Sequence, residues 1–570
     1  MNARKSVLSA SVTLVVVTSL VGLGCLQDGS LPGGDTLRLM IQTRGSTHIA
    51  ELEERLSEFY DRSVTVEPLF ADVDPEDDPV GLSRMFVAVV PDIRAPDDKP
   101  WDLAYQLTGA LGFERVGPDL DDALLSATER GVGSCTVGDS TPAPTDYGWS
   151  VRNVRADKAW QLEPEPGGAR FGEGVRICHP DTGWTVHYDL DPSRLDLERA
   201  TNLLDEGPAN GQDPLNYSGS LKHPGHGTGT GSVIISQGGL TDPAGTSEPG
   251  FVTGVAPAAT LVPIRCARSV IRVFDSKLAR AVHHATAADC DVISISLGGP
   301  FFFGLEAAIE DAVRRGKIVV AAAGNCVRYV VAPASYDACI AVAGTNVADR
   351  PWKGSSRGWA VTISAPGEHV WRAHRESPND SVRAVGPGEG TSFAVATVAG
   401  VAALWLSHHG LDATQQRYSG EVTVQQAFAE VLRRSARPVS GLDSDKYGPG
   451  IVDAEAALLV DLDQVDAGMT ARRAPTQAID HFAAMVDRDP AELRQLLAQL
   501  LGVSIEDVDE SFERWGAELA YLALHDPDGF DHMLDSMTEE RPAAERSARV
   551  TTWAGPRASR ALRAAMDFSG

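Results

Sequence analysis

The sequence predicts an α/β fold in which a mostly parallel β-sheet carries helices on both faces. Three observations lead to this prediction. Between residues 174 and 458, apolar runs typical of buried strands alternate with stretches of helical periodicity. Residues 37–116 follow the order βαββαβ, and after residue 461 the periodicity is helical only. Because such alternation is typical of parallel sheets covered on both faces, we expect a central sheet between a small α+β unit and a helical region.

The small α+β unit is predicted from six elements. Residues 37–43 alternate like a strand, and residues 48–60 carry apolar side chains at helical spacing. Further strands are predicted at residues 63–69, 83–90 and 113–116, with a helix at 101–111. This order is that of a ferredoxin-like unit.

The central sheet is predicted from short apolar runs. These strands lie at residues 175–178, 260–265, 291–297, 318–323 and 340–343, with helices at 276–288 and 305–315 between them. In sheets of this kind, functional side chains gather where strands end and helices begin.

Length and charge restrict the classes of function. A chain of 570 residues with 43% apolar residues can bury several cores, so we expect more than one domain. The net charge of -28 argues against a nucleic-acid partner or an anionic membrane surface, because phosphate binding depends on clustered Lys and Arg.

The N-terminus resembles a bacterial export signal. Arg4 and Lys5 precede an apolar run from Val7 to Leu23, followed by Cys25. We therefore expect residues 1–25 to be a signal peptide and the protein to be secreted or held at the cell envelope. Cys25 leaves a lipoprotein signal open as a second interpretation, and membrane contact is expected only if this residue is lipidated.

A linker and a terminal extension complete the predicted organisation. Residues 131–146 are rich in Gly, Ser, Thr and Pro, which indicates an exposed segment suited to cleavage. The clearest helix of the C-terminal region is predicted over residues 491–501. The expected domains are residues 26–145 with the linker, a core domain at 146–460 and a helical extension at 461–570.

Three short motifs carry the chemistry. Asp181-Thr182-Gly183 follows a predicted strand, and His226 opens the small-residue run His226-Gly227-Thr228. Gly390-Thr391-Ser392 places a hydroxyl at the start of a predicted helix, where backbone N–H groups favour negative charge. Each motif alone is weak evidence, but they occur in the order Asp, His, Ser, which is the order found in subtilisin.

Together these motifs resemble the three signatures of the subtilase family over about residues 149–458. The resemblance implies a subtilisin-like fold and a serine-type endopeptidase with Asp181, His226 and Ser392 as its catalytic triad. Such an enzyme hydrolyses peptide or protein substrates through an acyl-enzyme. The ferredoxin-like unit resembles subtilase prodomains, which implies a self-processing zymogen whose own prodomain is an intramolecular inhibitor.

The resemblance also assigns finer roles. Asn325 matches the side-chain donor of the oxyanion hole. Ser296, Leu297 and Gly298 match the extended segment that pairs with substrate backbone by β-strand addition. No cofactor is expected to be required. Calcium is common in the family, but the sequence offers no cluster of ligands to which we could assign it, so no metal residue is named.

One departure from the family pattern leaves a second function open, and a third function is open independently of it. His179-Pro180 stands where the family continues an apolar strand, and because proline cannot donate to a sheet ladder we expect the strand to end or bend before Asp181. A displaced Asp181 would favour a catalytically inactive, peptide-binding subtilase fold. A peptidyl transferase or cyclase, in which an amine replaces water, is the second alternative.

The cysteines other than Cys25 form an even set in a chain that we expect to be exported, so disulfides are expected. Six cysteines allow fifteen full pairings. Cys326 with Cys339 is our predicted pair, and Cys178 is interpreted as either a disulfide partner or a small apolar core residue.

Overall fold

The computed structural model describes most of the chain. The described residues are 36–91, 100–120, 141–204, 207–219, 222–238, 251–272, 276–300, 303–468, 478–538, 549–550, 552–553 and 558–566. The predicted signal peptide with Cys25, residues 131–140 of the predicted linker, and Cys135 lie outside them.

The N-terminal domain is the expected ferredoxin-like unit. Its four strands form an antiparallel sheet in the order β2-β3-β1-β4. Alternation along β1 divides its side chains, since Leu39 and Ile41 pack with the domain's own helices while Met40 faces the next domain. The elements are β1 (Thr36–Gln42), α1 (Ile49–Tyr60), β2 (Thr65–Pro68), β3 (Met85–Pro91), α2 (Pro100–Leu111) and β4 (Arg115–Pro118).

The central domain contains the predicted parallel sheet. Seven strands lie in the order β11-β10-β9-β8-β5-β7-β6, and every pair is parallel. A separate antiparallel pair is formed by β12 and β13. The strands are β5 (Arg176–Asp181), β6 (Thr201–Asn202), β7 (Thr260–Arg265), β8 (Val292–Ile295), β9 (Ile318–Ala322), β10 (Ile340–Thr345), β11 (Val361–Pro366), β12 (Val370–Ala373) and β13 (Val385–Gly388).

Helices cover both faces of this sheet. Successive residues of β7 show the division, because Leu261 packs on one face and Val262 on the other. Helices α5, α8, α10 and α12 share a core with Leu261, whereas α6 and α7 share one with Val262. The helices are α3 (Trp149–Asn153), α4 (Ala156–Ala159), α5 (His226–Ile235), α6 (Ser276–Ala287), α7 (Phe303–Arg314), α8 (Thr391–His409), α9 (Leu411–Arg417), α10 (Val424–Ser435), α11 (Ser444–Tyr447), α12 (Ala454–Leu458) and α13 (Leu462–Gly468).

Helix α8 is the only described helix that is long and apolar enough to cross a membrane. Its residues are buried throughout inside the domain. Its apolar character is therefore that of a central core helix.

Strand β5 continues through Pro180, so the expected early end of this strand was wrong. Pairing with β7 extends to Asp181, whose carbonyl oxygen accepts a hydrogen bond from Cys266 N at 3.0 Å. Alternate residues of a strand direct their polar backbone groups to opposite sides, so the nitrogen of Pro180 faces β8. Pairing with β8 ends at Cys178, before Pro180, so the ladder with β7 reaches Asp181 although Pro180 has no N–H to donate.

The predicted pairing of Cys326 with Cys339 is also wrong. Cys178 of β5 forms a disulfide with Cys290, which lies two residues before β8, with a Cα–Cα distance of 5.6 Å. Cys326 is disulfide-bonded, whereas Cys339 is a buried free thiol whose pKa is raised by burial.

The C-terminal region is helical, as expected. Asp489 caps α15 by accepting hydrogen bonds from the N–H groups of Ala491 and Glu492, and Pro490 occupies the first turn. The described helices are α14 (Ala478–Met485), α15 (Pro490–Leu501), α16 (Val508–His525), α17 (Pro527–Thr538) and α18 (Arg560–Ala565).

Candidate active site

Asp181 and His226 are in direct contact. Asp181 is fully buried at the end of β5, and its Oδ1 lies 2.8 Å from His226 Nδ1. The same oxygen accepts a hydrogen bond from Thr182 N at 2.6 Å. Burial by itself raises the pKa of Asp181, but the charge and hydrogen bond of His226 outweigh it and hold this pKa below its usual range. The carboxylate is thus held ionised against the imidazole.

Small residues allow His226 to begin α5 at this position. Gly225 caps the helix with a φ of 73°, and a Cβ there would collide with the carbonyl oxygen of Arg375. A Cβ on Gly227 would lie 3.1 Å from Asp181 Cβ and would collide with the carbonyl oxygen of Gly183. The glycines therefore let the helix start beside the end of β5.

Ser392 is the second residue of α8 and lies on the same side of the sheet as His226. The helix is preceded by Gly390, whose φ of 150° turns the chain into Thr391 and Ser392. The ring of Phe393, the neighbour of Ser392, has its centroid 6.4 Å from that of His226. Ser392 is 4% exposed, and its backbone N–H belongs to the unsatisfied first turn of a 19-residue helix.

Asn325 is anchored to the same turn. Its Oδ1 accepts hydrogen bonds from Thr391 N and Thr391 Oγ1, both at 2.9 Å. These two bonds fix the plane of the amide. A Cβ placed on Gly390 would lie 3.4 Å from Asn325 Nδ2 and 3.7 Å from Ser392 N, so both donors border one small space.

The segment 296–298 follows β8 and touches the serine turn. Ser296 Oγ donates to the carbonyl oxygen of Ser392 at 3.2 Å. Gly298 already uses both backbone groups inside the chain, because its N–H donates to Val270 O at 3.0 Å and its carbonyl oxygen accepts from Arg272 N at 2.8 Å. Residues 270–272 thus occupy the edge of this segment at Gly298.

His179 is a buried neighbour of the carboxylate whose role the sequence did not predict. Two residues before Asp181 on one strand, it projects from the same face. Its Nε2 lies 3.0 Å from Thr230 Oγ1 and 3.6 Å from Asp181 Oδ2. Thr230 Oγ1 also lies 3.1 Å from the carbonyl oxygen of His226, so His179, Thr230 and the Asp181–His226 pair form one buried polar network. Burial lowers the pKa of His179. Only its spacing from Asp181 could have indicated this placement.

The structure therefore brings all the predicted site residues into one region, at the carboxyl ends of β5, β8 and β9 and the first turns of α5 and α8. No group of three or more His, Cys, Asp or Glu side chains suited to a metal ion is found within the described part of the chain.

Comparison with known proteins agrees with this geometry. Residues 172–450 match the model of the Subtilase family. Thermitase of Thermoactinomyces vulgaris is 30% identical over 280 residues, covering 48% of this chain and 87% of thermitase. Subtilisin DY of Bacillus licheniformis is 32% identical over 41% of this chain and 77% of its own length.

M-protease of Shouchella clausii (strain KSM-K16) is 28% identical over 359 residues, which is 62% of this chain and 80% of M-protease. These matches extend over most of each relative. Together with the parallel sheet and the order of the three motifs, they place the chain in a family of serine endopeptidases. The chain belongs to the subtilase family.

Proposed function

We propose that this subtilase is a secreted, self-processing endopeptidase in which Asp181, His226 and Ser392 form the catalytic triad. The observation that carries the proposal is the 2.8 Å contact between His226 Nδ1 and buried Asp181, beside a helix that begins with Thr391-Ser392. The inactive-fold alternative required a displaced Asp181, and the continuous strand β5 removes the reason for expecting one.

The triad works by proton transfer. His226 takes the proton of Ser392 Oγ as this oxygen attacks a peptide carbonyl, and then gives it to the leaving amine. Asp181 accepts the Nδ1–H hydrogen bond, which sets the tautomer with Nε2 free to act as the base and stabilises the imidazolium. Water then hydrolyses the acyl-enzyme by the same route.

The tetrahedral oxyanion is stabilised by Asn325 Nδ2 and Ser392 N. The two donors border the same space at Gly390, and the anchoring of Asn325 Oδ1 on Thr391 fixes the amide before substrate arrives. A donor that needs no reorganisation stabilises the transition state most effectively.

Ser296, Leu297 and Gly298 bind substrate backbone as an added strand. Since Gly298 is bonded to residues 270–272, an extended peptide reaches its polar groups only when that segment moves aside. Substrate binding in this part of the site therefore includes a local rearrangement.

The N-terminal domain acts as the inhibitory prodomain. Its sheet packs on α6 and α7, where Asp119 accepts hydrogen bonds from Ser276 N at 3.0 Å and Ser276 Oγ at 2.8 Å, so that it caps α6. Glu67 pairs with Arg280 at 2.8 Å on the same helix. We assign residues 1–25 to the signal, 26–145 to the prodomain and linker, 146–460 to the catalytic domain and 461–570 to the extension.

Self-processing is tested by intact-mass analysis of the purified precursor. We expect cleavage within residues 131–146 in the wild type and none in Ser392→Ala. Ser435→Ala is the matched control, because Ser435 is equally a helical serine but bonds only to Val431 O in the core. Cleavage that persists in Ser392→Ala would contradict self-processing.

A further inference from the structure

The C-terminal helices contact the N-terminal domain through a face that this domain's own core does not use. Helix α2 buries Leu103, Ala104 and Leu107 inside the N-terminal domain. Trp101 and Tyr105, each 5% exposed, belong instead to the cluster that contains the C-terminal helices. One helix thus packs on two domains.

Aromatic side chains form the centre of this contact. The ring centroids of Tyr105 and Trp515 are 4.6 Å apart in an edge-to-face arrangement, and those of Trp101 and Tyr521 are 6.3 Å apart. Trp515 of α16 is 8% exposed. Buried aromatic pairs of this kind are typical anchors of protein interfaces.

Polar groups surround the aromatic centre. Asp102, which is 3% exposed, accepts a hydrogen bond from Ala561 N at 3.2 Å. At the exposed rim, Arg115 pairs with Glu513 at 2.9 Å. The buried Glu518 lies close enough to Tyr105 to contribute, after burial itself, to a raised pKa of this phenol. Charges and hydrogen bonds therefore complement the apolar contact.

The C-terminal helices also hold the catalytic domain. The ring of His481 in α14 stacks on Trp359 with centroids 5.5 Å apart, and it meets Tyr336 edge-on at 6.5 Å. The extension therefore touches the catalytic domain with one side and the N-terminal domain with the other.

We propose that the C-terminal extension is a second docking surface for the N-terminal domain, which holds this domain in place after the linker is cut. The N-terminal domain is then held at two sites at once, by α6 and α7 and by α16 and α18. Two linked contacts retain a partner far longer than either contact alone, because one can re-form before the other opens. That the retained domain inhibits rests on the proposed function, whereas the retention itself does not.

The test separates retention from activity. A recognition sequence for a site-specific protease is placed within residues 131–146 of the Ser392→Ala chain, which cannot cut itself if Ser392 is the nucleophile. The chain is immobilised through its C-terminus and cut with that protease, and loss of the N-terminal fragment is followed over time. We expect release at least about tenfold faster in Trp515→Ala, because it removes an interface anchor. Glu510→Ala, an exposed site on the same helix, is expected to match the parent.

A charge exchange provides a second test that does not depend on correct folding of Trp515→Ala. Arg115→Glu should speed release about threefold or more by placing like charges together, and the added change Glu513→Arg should restore the parent rate. Restoration supports a direct contact, since unfolding would not be repaired by a second substitution. Release at the parent rate in both Trp515→Ala and Arg115→Glu would overturn the proposal. A fragment that is retained but does not slow peptide hydrolysis by the active enzyme would contradict the inhibitory role alone.

Discussion

Replacing Asn325 separates its structural from its catalytic contribution. The side chain makes two hydrogen bonds through Oδ1, to Thr391 N and Thr391 Oγ1. At about 0.5–1.5 kcal/mol each, they stabilise the fold by about 1–3 kcal/mol in total. Asn325→Asp keeps the acceptor and removes the NH₂ donor, whereas Asn325→Ala removes both.

Both substitutions should lower kcat, and Asn325→Asp should lower it at least as much as Asn325→Ala. Loss of one oxyanion donor costs about 2.7–4 kcal/mol, a range established on subtilisin itself, so kcat should fall about 10²–10³-fold. The carboxylate of Asn325→Asp adds repulsion toward the oxyanion. Only Asn325→Ala should also lose stability, by the 1–3 kcal/mol that the two hydrogen bonds contribute.

The assay is steady-state hydrolysis of a chromogenic peptide, with thermal unfolding measured on the same preparations. A fall in kcat at nearly constant KM is expected, because the donor acts on the transition state. If folded Asn325→Asp kept more than about a tenth of wild-type kcat, the oxyanion role of this residue would be refuted.

Three further predictions concern stability. Burial raises the pKa of Glu518 from 4.5 to about 7, so the folded state retains this proton where the unfolded state has lost it. The free energy of unfolding of the wild type should therefore fall as pH rises from 4.5 to 7. Because Gln does not titrate, the free energy of unfolding of Glu518→Gln relative to that of the wild type should increase by about 3 kcal/mol from pH 4 to pH 8, as measured by urea titrations. Burial lowers the pKa of His179, so below about pH 6.5 the unfolded state binds a proton that the folded state does not bind. As pH falls from 7 to 5, the melting temperature of His179→Val should therefore decrease less than that of the wild type. An equal decrease would contradict this. The Cys178–Cys290 disulfide spans 112 residues, and its removal in Cys178→Ala/Cys290→Ala should cost about 2–5 kcal/mol; an unchanged melting temperature would count against this disulfide.

The sequence predicted the central sheet well because buried parallel strands are continuous apolar runs. Residues 260–265 were recovered as β7 in full. The prediction that β5 ends or bends early at Pro180 was wrong for a physical reason. Whether a missing N–H matters depends on which neighbour it faces, and that follows from strand order and register, neither of which is encoded locally.

The candidate site was predicted through motifs, and its surroundings were not. Cys178 and Cys290 are far apart in the chain, so their pairing depends on β5 and β8 being neighbours. In the same way, nothing near His179 in sequence indicates that Thr230 will meet it.

The contact between the C-terminal extension and the N-terminal domain could not be predicted from the sequence, for another reason. Trp101 and Tyr105 fit the apolar pattern of α2, and a periodicity does not distinguish side chains buried in one domain from those buried between two. Only the placement of α16 separates the two cases.

The most direct test of the triad is labelling of the processed, signal-free protein with a fluorophosphonate probe, which reacts with activated serines. Wild type, Ser392→Ala and the control Ser435→Ala all carry the recognition sequence of the site-specific protease within residues 131–146, and they are compared after cleavage with that protease and separation of the N-terminal fragment. We predict labelling of wild type and Ser435→Ala and none of Ser392→Ala. A folded, processed wild type that does not react, or equal labelling of Ser392→Ala, would contradict the assignment of Ser392 as the nucleophile.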